Sequence, residues 1–188
     1  MTSPDTPPRS WATRLKKLWK GPAGTVLLVM AVFFGVQAWQ TRHFDGTIDL
    51  ATPVQWLDPA GLQHSGRLQD AIDAVRPAGQ PVALYVWAEW CTICTLQQGT
   101  INRLTQDWPV LTVAMQSGDV AQVRRYQLQR ELHWTTVIDT RAQLSRAHGF
   151  RAVPVFVVLD AQNRLRYATV GYTSGFGMRA RLWAARLL

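Results

Sequence analysis

Apolar and polar positions change period several times along this chain, and each change marks an element. "PVALYVW" (81–87) is an unbroken apolar run rich in β-branched and aromatic residues, set off upstream by Pro77, Gly79 and Pro81. It reads as a buried strand. From Thr92 to about Asp107, Leu96, Ile101 and Leu104 recur at helical spacing, although Gly99 weakens the middle. "VLTVAM" (110–115) reads as a second buried strand. Ser117-Gly118-Asp119 then turns into a helix that opens on Asp119 and Gln122 in a capping pattern, with Val120, Val123 and Tyr126 as its inner stripe. "WTTVID" (134–139) predicts a short strand and Leu144 to His148 a short helix. "VFVVLD" (155–160) and "RLRYATV" (164–170) flank Ala161-Gln162-Asn163, a hairpin by its turn chemistry. "SGFGMRARLWAARLL" closes the chain as a helix with Met178, Leu182 and Ala185 on one face. Strands joined by helices imply parallel pairing, and the last pair is antiparallel. The prediction is an α/β fold, a mixed sheet flanked by helices on both faces.

The N-terminal region follows a different pattern. Residues 1–20 are polar and basic and predict a cytoplasmic tail; "GPAGTVLLVMAVFFGVQAW" (21–39) carries no charge. A helix from Trp19 to Trp39 rises about 30 Å at ~1.5 Å per residue, the thickness of a bilayer's hydrocarbon core. Tryptophans near both ends suit the two interfaces, and the basic leader orients the N-terminus to the cytoplasm. The expected organisation is a tail (1–20), a single transmembrane anchor (21–40), a linker (41–53) and a periplasmic domain (54–188) on the inner membrane. The alternative is a cleaved signal peptide, with Val36-Gln37-Ala38 as its small-residue site. The bulky Phe33-Phe34 pair and flanking tryptophans favour the anchor, and either reading exports the domain.

Charge adds one exclusion. Of the net +8, five bases (Arg9, Arg14, Lys16, Lys17, Lys20) against Asp5 place +4 before residue 22. The other arginines are scattered among acids with no basic stripe interleaved with aromatics, so nucleic acid is not the expected partner.

Candidate chemistry rests on "WAEWCTIC" (87–94), which holds both cysteines of the chain. Cys91 falls where a strand ends and a helix begins, where unpaired N–H groups and the helix dipole favour a thiolate. Cys94 lies one turn later and can resolve a mixed disulfide formed at Cys91. A zinc site requires three or four protein ligands. No third cysteine exists, and His43, His64, His133 and His148 lack ligand spacing and read as surface or turn residues. A purely structural disulfide closing so short a loop removes little unfolded-state entropy. Redox chemistry is the expected use, with the Cys91–Cys94 disulfide itself as the redox centre and no separate cofactor or metal.

"VWAEWCTIC" resembles the active-site segment of the thioredoxin superfamily, and "AVPVFVVLDAQNRLRYATVGY" resembles its cis-proline strand and following hairpin. The anchored, exported arrangement is similar to the TlpA, ResA and CcmG group, and the ending is most similar to ScsD, suppressor for copper sensitivity D. The resemblance covers about residues 50–188 and implies a thioredoxin-like fold. It implies Cys91 as attacking and Cys94 as resolving cysteine, a cis Val153–Pro154 bond against the disulfide, Val153 offering its backbone to substrate, and Trp90 shaping the site. Trp87 matches a packing aromatic. It further implies a protein disulfide reductase acting on exported cysteine-containing proteins and recharged by a membrane thiol reductase of the DsbD or ScsB type.

Three positions depart from that pattern. Tyr85 stands where the family carries a buried acid, leaving Glu89 as the candidate proton relay and, equally, an ordinary turn residue. Gly99 replaces a helix-kinking proline, and Thr92-Ile93 occupies the position that sets redox potential. Two rival readings follow: a disulfide-forming oxidase, and a copper-binding module using the same cysteines as soft ligands.

Overall fold

The computed structural model describes residues 48–187 and, ahead of them, positions 24–26, 28 and 32, which are helical. The expected tail, most of the expected anchor and the linker before Ile48 lie outside the described residues. Among the described residues no helix is long and apolar enough to cross a membrane.

Twelve elements follow Ile48. They are β1 (Pro53–Leu57), β2 (Gln63–Arg67), α1 (Leu68–Asp73), β3 (Val82–Trp87), α2 (Thr92–Asp107), β4 (Val110–Met115), α3 (Val120–Gln129), β5 (Thr136–Asp139), α4 (Gln143–Ala147), β6 (Val155–Leu159), β7 (Leu165–Val170) and α5 (Gly175–Arg186). The strands form one sheet in the order β2-β1-β5-β4-β3-β6-β7. β3, β4 and β5 pair in parallel, while β6 runs antiparallel to both β3 and β7. The mixed sheet and terminal hairpin match the expectation from sequence.

Central strands β3, β4 and β6 are buried at every position, which is why they read as unbroken apolar runs rather than alternations. Alternate residues still serve different cores. Ala83, Tyr85 and Trp87 of β3 join a cluster with Ile101 and Leu104 of α2, Val123 of α3, and Met178, Leu182 and Ala185 of α5. Val82, Leu84 and Val86 join a second cluster with Leu68, Ala71 and Ile72 of α1 and Leu144 of α4. Helices therefore cover both faces.

Four sequence expectations change. The unit β1–β2–α1 was not anticipated: β2 is "QHSGR", largely exposed and without apolar periodicity. Leu96, expected on the inner stripe of α2, is 73% exposed; Cys94, Gln97 and Gln98 take the inward positions instead. Residues 48–53, expected as linker, pack on the domain, with Ile48 buried and Asp49 N donating to His148 Nε2 at 2.9 Å. His148, expected as a surface or turn residue, does lie in the turn that ends α4, but it is buried there and its Nδ1 contacts Leu144 O at 2.8 Å.

Candidate active site

Strand β3 delivers the chain to the site. After Trp87 the backbone turns, Cys91 N donates to Ala88 O at 3.2 Å, and α2 starts at Thr92. Cys91 is the N-cap of α2, with extended backbone, and its Sγ accepts the Cys94 N–H at 3.1 Å. The sulfur thus occupies the place of a capping oxygen, where the first-turn N–H groups concentrate positive potential. Cys91 and Cys94 form a disulfide with a Cα–Cα distance of 5.2 Å. Cys91 is 6% exposed and Cys94 1%, so an approaching group meets Cys91 first. Trp90 and Ile93 stand exposed beside it.

The β4–α3 loop holds one side of the site. Glu89 N donates to Ser117 Oγ at 3.0 Å, and Ser117 Oγ donates to Met115 O at 3.2 Å. Trp90 Nε1 donates to Gln116 O at 3.1 Å, which fixes the indole while leaving its face open. Gln116 has a φ of 49°, a left-handed conformation that turns its carbonyl out of the strand ladder. Asp119 caps α3 by accepting the Gln122 N–H at 2.8 Å, as its spacing predicted. The Gln122 side chain does not complete a reciprocal box; its Nε2 donates to Glu89 Oε1. Glu89, the candidate relay, is thereby tied to α3, and no hydrogen bond among the described residues joins it to either cysteine.

Strand β6 supplies the other side. The Val153–Pro154 peptide is cis. Val86 pairs with Val155, so Pro154 stands level with Trp87, at the end of β3 that leads to Cys91. Pro154 O accepts the Gly171 N–H at 2.8 Å, joining this turn to the end of β7. Next along the chain Gln97, fully buried on α2 one turn after Cys94, donates through Nε2 to Thr173 O at 2.7 Å. Sequence reasoning missed Ser117, Gln122, Gln97 and Thr173. Ser117 carried a signal as a turn residue and Gln122 one as part of the capping pattern, though not of its bond to Glu89; a buried glutamine on a helix announces nothing about its partner.

Beneath the disulfide lies an aromatic floor. Trp87 stacks on Tyr126 with centroids 5.4 Å apart and meets Trp134 edge-on at 5.7 Å. Gln98 Nε2 donates to Tyr126 Oη at 2.8 Å, tying α2 to this floor. Tyr85 is fully buried and meets Trp134 edge-on at 6.2 Å. Burial, with Tyr126 nearby as a lesser cause, pushes its phenol above the ordinary tyrosine range. Tyr85 therefore stays protonated near neutrality and cannot serve as a base there. Among the described residues no group of three or more histidine, cysteine or acidic side chains is placed to hold a metal ion.

The chain is similar to known proteins in sequence and in fold. A thioredoxin-like protein of Haemophilus influenzae is 32% identical over 107 residues, covering 56% of this chain and 64% of the relative. The chain thus spans less than two thirds of that relative's length. A protein of Yersinia pestis named thiol:disulfide interchange protein DsbE is 23% identical over 171 residues, 87% of this chain and 86% of that one. Among solved structures, the pneumococcal exposed lipoprotein thioredoxin of Streptococcus pneumoniae strain TIGR4 superposes with a TM-score of 0.58 at 19% identity, covering 71% of this chain and 99% of that one. The likeness shows a thioredoxin-like fold. Residues 63–168 match the model of the AhpC/TSA family. With that match running over more than half its length, the chain belongs to the AhpC/TSA family.

Proposed function

We propose that the protein is a thiol–disulfide oxidoreductase of the DsbE/CcmG kind, within the TlpA-like group and akin to ScsD, working as a reductase on exported cysteine-containing proteins. The observation that carries this reading is the disulfide at the head of α2, with its outer sulfur at the N-cap and its inner sulfur buried. The name borne by the Yersinia pestis relative supports the same reaction class. The uncharged N-terminal stretch with its basic leader supports a membrane anchor and a periplasmic domain.

In the reduced protein the Cys91 thiolate attacks one sulfur of a substrate disulfide. A Cys91–substrate S–S bond forms and the other substrate sulfur leaves as a thiolate, taking up a proton. Cys94, losing its proton, then attacks Cys91 Sγ; the Cys91–Cys94 bond forms and the second substrate thiolate departs. That second thiolate is protonated in turn, so the substrate gains two electrons and two protons, one released by Cys94 and one that Cys91 had given to solvent on ionising. The protein is left in the oxidised state of this structure. A membrane thiol reductase of the DsbD or ScsB type returns those electrons. The Val153 backbone beside Pro154 pairs with an extended substrate segment and Trp90 walls the approach; Glu89, held by Gln122 on α3, takes the proton of the resolving thiol only once that bond opens.

Insulin reduction driven by dithiothreitol tests the chemistry. The full chain should accelerate it, and Cys91→Ser should not. Thiol trapping in cells tests direction: the pair should be mostly reduced and turn oxidised when the membrane reductase is deleted. A pair that stays oxidised in growing cells would make the oxidase reading the better one.

A further inference from the structure

Helix α5 carries two apolar stripes where its packing needs one. Met178, Leu182 and Ala185 face the core. On the outer face Phe176, Ala180, Trp183 and, at the C-cap, Leu187 follow at steps of four, three and four, the spacing of a single helix face. Phe176 is 84%, Trp183 55% and Leu187 83% exposed. The stripe is about 16 Å long at ~1.5 Å per residue. A helix that met only water would place polar residues there.

Charge on this surface is one-sided. Helix α5 contains Arg179, Arg181 and Arg186 and no acid. Beside it α2 adds exposed Arg103 and a single acid, Asp107, which is already paired with Arg179 at 2.6 Å. Residues 48–187 hold fourteen arginines against ten acids, a net +4; four arginines against one acid on α2 and α5 supply +3 of it. The Arg186 guanidinium lies over the Trp183 ring, 5.6 Å from its centroid, so cation and indole are presented together. Trp108 meets Trp183 edge-on at 5.6 Å and fixes its orientation.

We infer that the outer face of α5 rests on a membrane surface rich in anionic phospholipid, with Phe176, Trp183 and Leu187 in the boundary between headgroups and acyl chains and Arg103 and Arg186 against the phosphates. Aromatic and leucine side chains on one face, bordered by arginine, are what an interfacial helix needs. Cationic side chains also gain from the negative potential of such a leaflet. A second copy of the chain fits poorly. Joining two α5 faces would gather their arginines with only Asp107, already engaged, to oppose them. The inference does not depend on the thiol chemistry and stands or falls separately from it.

Lipid bearing bromine on its acyl chains tests it. The full chain is assembled into nanodiscs of phosphatidylcholine alone or mixed with phosphatidylglycerol, with and without bromine. Emission of the wild type minus that of Trp183→Phe isolates Trp183 from the other tryptophans. That difference should fall about twofold in brominated mixed discs and recover in high salt or in Arg103→Gln/Arg186→Gln. Dithiothreitol-driven insulin reduction by Trp183→Phe should match the wild type. Equal Trp183 emission with and without bromine would overturn the inference. So would equal quenching in both lipid compositions, or a blue shift that grows with protein concentration in lipid-free detergent, which would identify a second copy as the occupant.

Discussion

Replacing Tyr85 by phenylalanine should make the oxidised protein more stable. The side chain is fully buried on β3, and its Oη has no hydrogen-bond partner among the described residues. Burying a hydroxyl without a partner costs about 1–3 kcal/mol by mutational measure. Phenylalanine removes that atom and keeps the ring, so the edge-on contact with Trp134 at 6.2 Å survives and no sizeable cavity opens. Taking the low end of that range, the gain is about 1 kcal/mol. A domain of this size shifts its Tm by roughly 2–4 °C per kcal/mol. Thermal unfolding of oxidised wild type and Tyr85→Phe in the same detergent reads it directly.

Alkaline pH sharpens the test. The folded phenol titrates above its ordinary value of 10.0, chiefly because it is buried. A raised folded pKa gives stability that is complete below the unfolded value and lost as pH rises toward the folded one. Above about pH 10 the wild type should therefore weaken while Tyr85→Phe does not, and the gap between them should widen. A fall in Tm for the variant at neutral pH would refute the reasoning, because it would mean the phenol holds a bond that folding needs.

Three further outcomes follow from the site and its frame. Cys91 should alkylate faster than Cys94 in the reduced protein, and Cys94→Ala should trap mixed disulfides in cells while Cys91→Ala does not; equal trapping, read on non-reducing gels, would remove the assigned roles. Ser117→Ala should lower stability by about 1–2 kcal/mol in urea titrations, because Glu89 N–H loses its acceptor; no change would mean the loop does not hold the site. Asp160, buried at the β6–β7 turn, titrates below its ordinary value. Burial pushes it up, but hydrogen bonds from Arg164 N and from the Arg166 and Arg164 side chains outweigh that. A lowered folded pKa gives stability present above the unfolded value and lost as pH falls through the folded one. The Tm advantage of wild type over Asp160→Asn should thus hold steady near neutrality and shrink below pH 3.8; an advantage unchanged into acid would contradict it.

What could be read in the sequence is what the chain encodes locally. β3, β4 and β6 announce themselves because both faces are covered and every position is apolar. The cysteines are legible because a strand–helix junction is a local feature. β1 and β2 were not, since Pro53 and Gln55 interrupt the apolar residues of β1, and β2 is largely exposed and polar. Leu96 shows the limit of periodicity. Its spacing fits the inner stripe, yet the inner positions near the disulfide went to Gln97 and Gln98, whose value lies in partners 76 and 28 residues away. Long-range hydrogen bonds of this kind leave no trace in a window of sequence.

Those distant bonds have a common effect on the site. Gln97 joins α2 to Thr173 behind Cys94, and Gln98 joins α2 to Tyr126 on α3. Ser117 and Gln116 hold the backbone of Glu89 and the indole of Trp90 from the β4–α3 loop. Exposed side-chain surface remains beside Cys91, including the face of Trp90 and Ile93. A thiol–disulfide exchange reaction requires the attacking sulfur to keep its place while partners of different shape come and go. The division observed serves both demands: backbone and buried amides fix the surroundings of the sulfur, and exposed apolar surface is left beside it to meet the partner. Loosening the frame at Ser117 should therefore slow reaction with every substrate alike. Altering Ile93 should change the ranking among substrates and leave the stability of the domain nearly untouched.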